Sequence, residues 1–406
     1  MSELLKDRLL DDWAEGFMEY TSVLISPEIF LRWAAYCIIA GALERRVWTP
    51  MAGQKLYPNT IVLLVSPPGI GKGNAIKEIY SLWAKTGVFN VAPDGLTKAA
   101  FIDQLLEKVR TFTYEKREYM CHPLLMAITE FGTLLPQYDR EFLNVLNKIY
   151  DCEEFPFADR TRGGGLITVD RAHLSLIAGT QPSYLGEILP EAAYGMGFPS
   201  RTIMVYAGQK PKKKLFSVIE RDEKLFHALR MDLRNIVRLV GPFEWEKEAQ
   251  DILEKWDQNQ EEDAPTHPKL LSYNARRVQH VAKIAMSVSV SRTNEMFVST
   301  EDLIKAKTML MHAEDLMPQI FKEMVVSQDA SEIEEIHRFL FAYCRRMEVE
   351  SVPEHDLLHY MSKKIPVNKI DYFLKTLQSA GLMKCEGLNA PGSRKYRPLA
   401  KTIFTG

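Results

Sequence analysis

Ile61-Val-Leu-Leu-Val-Ser-Pro-Pro-Gly-Ile-Gly-Lys-Gly-Asn74 is the stretch from which the rest of the chain is read. An apolar run rich in β-branched residues enters a Pro/Gly loop, then Gly71-Lys72, then a helical stretch starting near Asn74. Strand, glycine loop and helix in that order form a phosphate cradle. The N–H groups of the loop and helix start point at the anion, and a lysine reaches the outer phosphates. The match to G-x-x-x-x-G-K-[ST] departs at both ends: Ser66 stands at the first glycine position and Gly73 where the Mg²⁺-binding hydroxyl belongs. The expected ATP-binding segment is therefore Ser66, Pro67, Pro68, Gly69, Ile70, Gly71, Lys72, Gly73 and Asn74. The competing reading is an ordinary βα turn.

Working outward, three more apolar runs read as buried parallel strands: 124–130, 174–179 and 202–206. The first ends in Thr129-Glu130, at the carboxyl edge where α/β sheets bind ligands. Glu130 is the candidate water-activating base, and Thr129 and Glu130 are the candidate Mg²⁺ side. A salt-bridged or helix-capping glutamate is the alternative. The second run ends in Thr180-Gln181-Pro182, polar groups placed to reach a γ-phosphate or water. Gly195-Met-Gly-Phe-Pro-Ser-Arg201 leads into the third. Helices are predicted over 75–86, 98–109 and 138–150, so the economical fold is α/β with a parallel sheet. Between 155 and 170 two alternating segments flank three glycines, a hairpin signal. Arg160 and Arg162 lie beside its tip and suit phosphate contact, or else a solvated turn.

The flanks are helical. Residues 4–46 carry Trp13, Phe17, Tyr20, Phe30 and Trp33 at helical spacing, with Ser26-Pro27-Glu28 as a helix start. Arg45 and Arg46 belong to this layer or serve a separate binding role. Residues 215–325 read as helical throughout, and Arg276-Arg277 open one of the helices. From 331 the expected helices are 331–347, 354–362 and 366–379. A strand, a Gly/Asn/Pro turn and a returning strand follow, which is the winged-helix order. From residue 353 on there are nine Lys and Arg against four Asp and Glu, on a chain of net charge −2. Lys369 and Lys375 on the third helix, and Arg394, Lys395 and Arg397 on the wing, are the candidate DNA contacts. His355 and His359 read as helix-surface residues.

Bulk properties bound the answer. A chain of 406 residues suggests two to four modules. We expect a helical segment over 1–56, the core over 57–208, a helical lid over 209–328 and a winged helix over 329–406. Hydrophobic content of 46% with 26% charge suits a soluble globular protein. Any nucleic-acid contact must use local basic patches, because the net charge is near zero. Five scattered cysteines with no C-x-x-C pair predict reduced thiols, not a disulfide frame or a zinc site. The opening Met-Ser-Glu-Leu-Leu-Lys-Asp-Arg is too charged for a secretory leader, and no apolar run is long enough to span a membrane. The expectation is a cytoplasmic protein without a membrane partner.

Arg45-Arg46-Val-Trp, Leu56-Tyr-Pro-Asn, the 66–72 loop, Thr129-Glu-Phe-Gly132 and Gly197-Phe-Pro-Ser-Arg201 together resemble an uncharacterised domain family of phage and prophage replication proteins, described as primase- or helicase-associated. The resemblance covers roughly residues 10–290. The motif order is also similar to AAA+ ATPases of the minichromosome-maintenance helicase type. That resemblance implies a pre-sensor hairpin carrying Arg162, a first sensor at Gln181 (or Thr180), an arginine finger at Arg201 acting on the neighbouring subunit, and a second sensor at Arg276 (or Arg277). It further implies ATP and Mg²⁺, a homo-oligomeric ring, by analogy a hexamer, and DNA as partner. Lys72, Glu130, Gln181, Arg201 and Arg276 would then be the catalytic set. Three functions follow: a DNA helicase or translocase, a loader or initiator serving a replicative helicase or primase, and a nucleotide-binding DNA regulator.

Overall fold

The computed structural model describes residues 8–160, 165–195, 197–213, 221–259, 263–387 and 394–399. It divides into two compact units, Met1–Lys322 and Glu323–Gly406.

In the first unit, α1 (Trp13–Thr21) starts at Asp12, whose carboxylate accepts from the Ala14 and Glu15 N–H groups. Helix α2 (Glu28–Leu43) is buried along nearly its whole length, so it is a core helix and not an amphipathic surface one. Pro27 is its N-cap residue. A hairpin of β1 (Val47–Met51) and β2 (Gln54–Leu56) precedes β3 (Ile61–Val65). Next come α3 (Lys72–Thr86), α4 (Lys98–Glu107), β4 (Arg110–Tyr114), β5 (Arg117–Ile128) and α5 (Arg140–Asp151). The β6 (Phe157–Arg160) and β7 (Leu166–Val169) hairpin is followed by β8 (Ala172–Thr180), α6 (Pro182–Ile188), α7 (Phe198–Arg201) and β9 (Thr202–Tyr206).

The main sheet has the order β4-β5-β8-β3-β9. Its strands β5, β8, β3 and β9 are parallel, and β4 closes the edge antiparallel. Every residue of β3, β8 and β9 is buried, as a parallel sheet covered on both faces requires. All four apolar runs of the sequence are found as these strands. The predicted helix over 98–109 ends earlier, at Glu107, because β4 begins at Arg110. The turn into β5 is Glu115-Lys116, both at positive φ (49° and 62°). That is the backbone of a tight hairpin turn without its usual Asn-Gly signal.

The remainder of this unit comprises α8 (Glu223–Ile236), β10 (Gly241–Pro242), β11 (Glu244–Trp245), α9 (Lys247–Gln258), α10 (Leu271–Asn274), α11 (Arg277–Arg292) and β12 (Phe297–Val298). The segments expected as separate modules over 1–56, 57–208 and 209–328 interlock up to Lys322. Strand β1 pairs with β10. The Trp13 indole donates to the Leu229 carbonyl at 2.9 Å, and the Lys283 ammonium donates to the Asn59 side chain at 2.7 Å. Arg45 and Arg46 are buried: Arg45 donates to the carbonyls of Ala172 (3.0 Å) and Cys152 (2.7 Å), and Arg46 pairs with Glu44. Arg45 ties the end of α2 to β8, and Arg46 closes on Glu44, which also accepts from Arg110 of β4.

One helix, α12 (Thr300–Met347), spans the boundary between the units, so the expected helix over 331–347 is its final part. The second unit continues with β13 (Val352–Pro353), α13 (Glu354–Ser362), α14 (Val367–Ser379), β14 (Met383–Glu386) and β15 (Lys395–Pro398). Its sheet, β13-β15-β14, has one strand more than the two-stranded flap expected. Leu340, Val352, Leu357, Phe373, Leu377 and Tyr396 form its core. No helix among the described residues is long and apolar enough to cross a membrane.

Arg277 illustrates how the first unit is braced. Fully buried, it donates to Glu314 at 2.9 and 2.7 Å and to Asp263 at 2.8 Å, with its guanidinium over the Trp256 ring. Arg277→Ala strands the Glu314 carboxylate, a loss of about 3–5 kcal/mol for a broken buried pair. All six tryptophans lie in this unit, so denaturant unfolding followed by their fluorescence reports it alone. The expected result is a correspondingly lower midpoint.

Candidate functional site

The carboxyl ends of β3, β8 and β5 bring together the residues the sequence singled out. After Val65 the chain turns through Ser66, whose N–H donates to the Thr180 carbonyl at 3.2 Å. Gly69 (φ 79°) and Gly71 (φ 114°) hold the left-handed turns that lead into α3. A Cβ on Gly71 would also collide with the Ile25 carbonyl, so the α1–α2 connection lies directly against the loop. Asn74 donates to the same carbonyl at 3.0 Å. No side chain caps the start of α3. An anion there would meet the free N–H groups and positive dipole end of the helix.

Lys72 is buried, and its ammonium donates to the Ser66 carbonyl at 3.2 Å. Burial pushes its pKa down, and the nearby charge of Glu130 opposes that shift. Gly179 is where the site closes in: a Cβ there would lie 2.5 Å from the Thr129 carbonyl oxygen and 3.4 Å from Lys72 Cδ. Glu130, exposed, follows β5 and accepts at its carbonyl from the Thr133 N–H at 2.9 Å. Gln181 opens α6 immediately after β8, while Thr180 is buried. Lys72, Thr129, Glu130, Thr180 and Gln181 thus share one edge of the sheet. Sequence reasoning missed Asp94. Its carboxylate accepts from the Thr129 hydroxyl at 3.3 Å, and its carbonyl accepts from the Thr133 hydroxyl at 3.4 Å.

Arg201 and Arg276 lie elsewhere. Thr202 pairs with Ile61 and Tyr206 with Val65, so Arg201 stands where the strands begin and the 66–72 loop where they end. Five residues of strand, at about 3.3 Å each, put roughly 16 Å between the two edges. Arg201 grips Asp151 with two bonds, Nε to Oδ1 at 2.8 Å and Nη2 to Oδ2 at 2.5 Å. Arg276 reaches the same carboxylate at 3.3 Å. One acid therefore holds both arginines, and Asp151 is a second residue that motif reasoning overlooked. Arg277 is enclosed by Glu314 and Asp263, while Arg276 is partly exposed beside Asp151.

A cavity of about 780 Å³ opens beside this cluster, walled by the β1–β2 hairpin, by 150–155 and by Arg276, Gln279 and Lys283. Buried Lys283 lies over the Tyr150 ring at 4.2 Å, and its pKa is pushed down to about 7 by burial.

The candidate DNA contacts divide in three. Arg162 lies outside the described residues, as does the side chain of Arg160, whose backbone ends β6. Lys369, Arg394 and Arg397 are ion-paired with Asp329, Glu354 and Glu350. Lys375 and Lys395 are exposed, with no ion-pair partner among the described residues. The basic excess beyond 353 is largely offset within the second unit: from 323 on, 12 Lys and Arg face 11 Asp and Glu. His355 is exposed beside Asp356, and among the described residues no group of three or more His, Cys, Asp or Glu could hold a metal ion.

No protein-family model matches the chain, and no curated protein matches it significantly.

Lys283 yields a pH prediction. Its folded pKa of about 7 lies below its unfolded value, so the unfolded state holds the extra proton between about pH 7 and 10. Stability should therefore rise with pH across that window, by at most about 1.4 kcal/mol per unit from this group. Denaturation at a series of pH values, compared with Lys283→Met, checks it: the variant should lack this part of the slope.

Proposed function

We propose that the chain is an ATP-driven, oligomeric DNA replication protein with an AAA+ core, acting as a helicase or translocase. The observation that carries the reading is the two-edged sheet. Phosphate loop, glutamate and polar strand ends lie at one edge, and an arginine pair lies about 16 Å away at the other. A monomer with that layout has its arginines out of reach of its own nucleotide. In a ring, the arginine edge of one subunit meets the phosphate edge of the next.

On this reading the loop N–H groups and Lys72 bind the phosphates of ATP. Glu130 orients the attacking water, and Gln181 holds water or γ-phosphate from the end of β8. Arg201, with Arg276 beside it, stabilises charge developing in the transition state of the adjacent subunit. Arg276 joins Arg201 as a group acting in trans, because both rest on Asp151. The donor set at the phosphate edge (carboxylate and hydroxyl oxygens) suits a hard cation that keeps several waters. Thr129 and Glu130 would hold Mg²⁺ there, and the ion would supply positive charge against the phosphates.

The three-helix second unit with its small sheet supports a winged-helix reading. Lys375 and Lys395 are the groups best placed to meet phosphates. Gly73 and Thr129, standing where a hydroxyl and an aspartate would hold Mg²⁺, favour a second reading. In it, ATP binding holds an assembly together and the protein loads a replicative helicase or primase, with little unwinding of its own.

Complementation tests the main reading. Lys72→Ala should abolish ATP binding. Arg201→Ala should retain it and lose roughly 10³–10⁵ in turnover. Mixing the two inactive variants should restore part of the ATPase activity, because some interfaces then pair an intact loop with an intact arginine. Failure of the mixture to recover, or a persistent monomer with ATP and Mg²⁺, would overturn the ring.

DNA contact is tested separately. Lys375→Gln with Lys395→Gln should reduce the slope of log affinity against log salt by about 2 for duplex DNA. An unchanged slope removes these two residues, and the same titration on Arg160→Ala with Arg162→Ala examines the hairpin. Fork unwinding by the unaltered protein separates helicase from loader.

A further inference from the structure

We propose that Asp94 supplies the metal-side carboxylate of the nucleotide site, replacing the aspartate that Thr129 displaces. The inference rests on the nucleotide reading above and deepens it.

The backbone places Asp94 there. Val91 forms a parallel bridge to Leu125, with Ala92 N–H donating to the Leu125 carbonyl at 2.8 Å and Leu125 N–H to the Asn90 carbonyl at 2.9 Å. Residues 90–92 therefore run alongside β5 in its own direction, and the next few residues emerge at the same carboxyl edge as Thr129 and Glu130. Asp94 comes out next to Thr129, tethered by the two hydroxyl contacts already described. Thr133, which makes the second of these, shares its one hydroxyl proton between that long contact and the Glu130 carbonyl at 2.7 Å. One threonine thus links the loop that carries Asp94 to the turn that carries Glu130.

The site is continuous from there to the phosphate loop. The Thr129 carbonyl and the Lys72 stem converge on Gly179: an added Cβ would collide with the first and touch the second. Asp94 is exposed, so its second oxygen has room for metal-bound water. A metal ion chelated by ATP needs only one or two protein carboxylates, the rest of its shell being phosphate and water. Asp94 and Glu130 meet that number on either side of Thr129. The threonine hydroxyl donates to one oxygen of Asp94 and so orients the carboxylate, the role of a group that positions a ligand.

The test reads metal binding, not turnover. Titrate Mn²⁺ against the full chain with ATP and follow free Mn²⁺ by electron paramagnetic resonance, with ATP affinity in EDTA measured in parallel. Asp94→Asn should leave the affinity in EDTA unchanged and weaken Mn²⁺ binding in the ternary complex by about 10–100-fold. Adding Thr129→Asp to that variant should restore most of the loss, by returning a carboxylate to the end of β5. Wild-type ATP affinity with an unaltered Mn²⁺ midpoint in Asp94→Asn overturns the inference and leaves the nucleotide site standing. Absence of ATP binding by the unaltered chain overturns both.

Discussion

The pairing of Ile61–Val65 with β8 on one side and β9 on the other is the constraint from which the rest follows. All three strands are wholly buried, so their side chains serve packing and leave no room for chemistry. Function is confined to what the strands carry at their ends. Because the strands are parallel, the two ends differ in kind. Glycine loop, carboxylates and hydroxyls gather where the strands stop. Guanidinium groups gather where they start.

The helices around this sheet are tied by buried polar contacts in addition to apolar packing. Arg45 and Arg46 are spent on carbonyls and on Glu44, Lys283 on Asn59, and Arg277 on Glu314. Each charge would be costly if left alone in the interior. Together they join α2, α11 and α12 to the core, which explains why segments that look modular along the chain behave as one compact unit. Such charges are structural; Lys72 at one edge of the sheet and Arg201 with Arg276 at the other are not spent in this way.

Much of this was legible in the sequence. Four apolar runs announced four strands, and the glycine loop announced its helix. The β4–β5 hairpin was not legible, because Glu115-Lys116 adopts positive φ without glycine or asparagine. The three-stranded C-terminal sheet was missed by one strand, since Val352-Pro353 is too short to show any alternation. Asp94 and Asp151 escaped for a different reason. Their partners lie 35 and 50 residues away, and only the fold brings them together. Motif reading finds residues at fixed spacing; it does not find a carboxylate that arrives from a distant loop or helix end.

Asp151 carries one more consequence. A carboxylate that binds Arg201 with two oxygens and Arg276 with one makes the three side chains a single electrostatic object. Removing any member changes the net charge of the trio and the partners left to the other two, so energetic effects at these sites are coupled and not additive. Along an evolutionary path the trio would have to move in concert: a lone change at the acid frees both arginines, and a lone change at either arginine leaves the acid to the other.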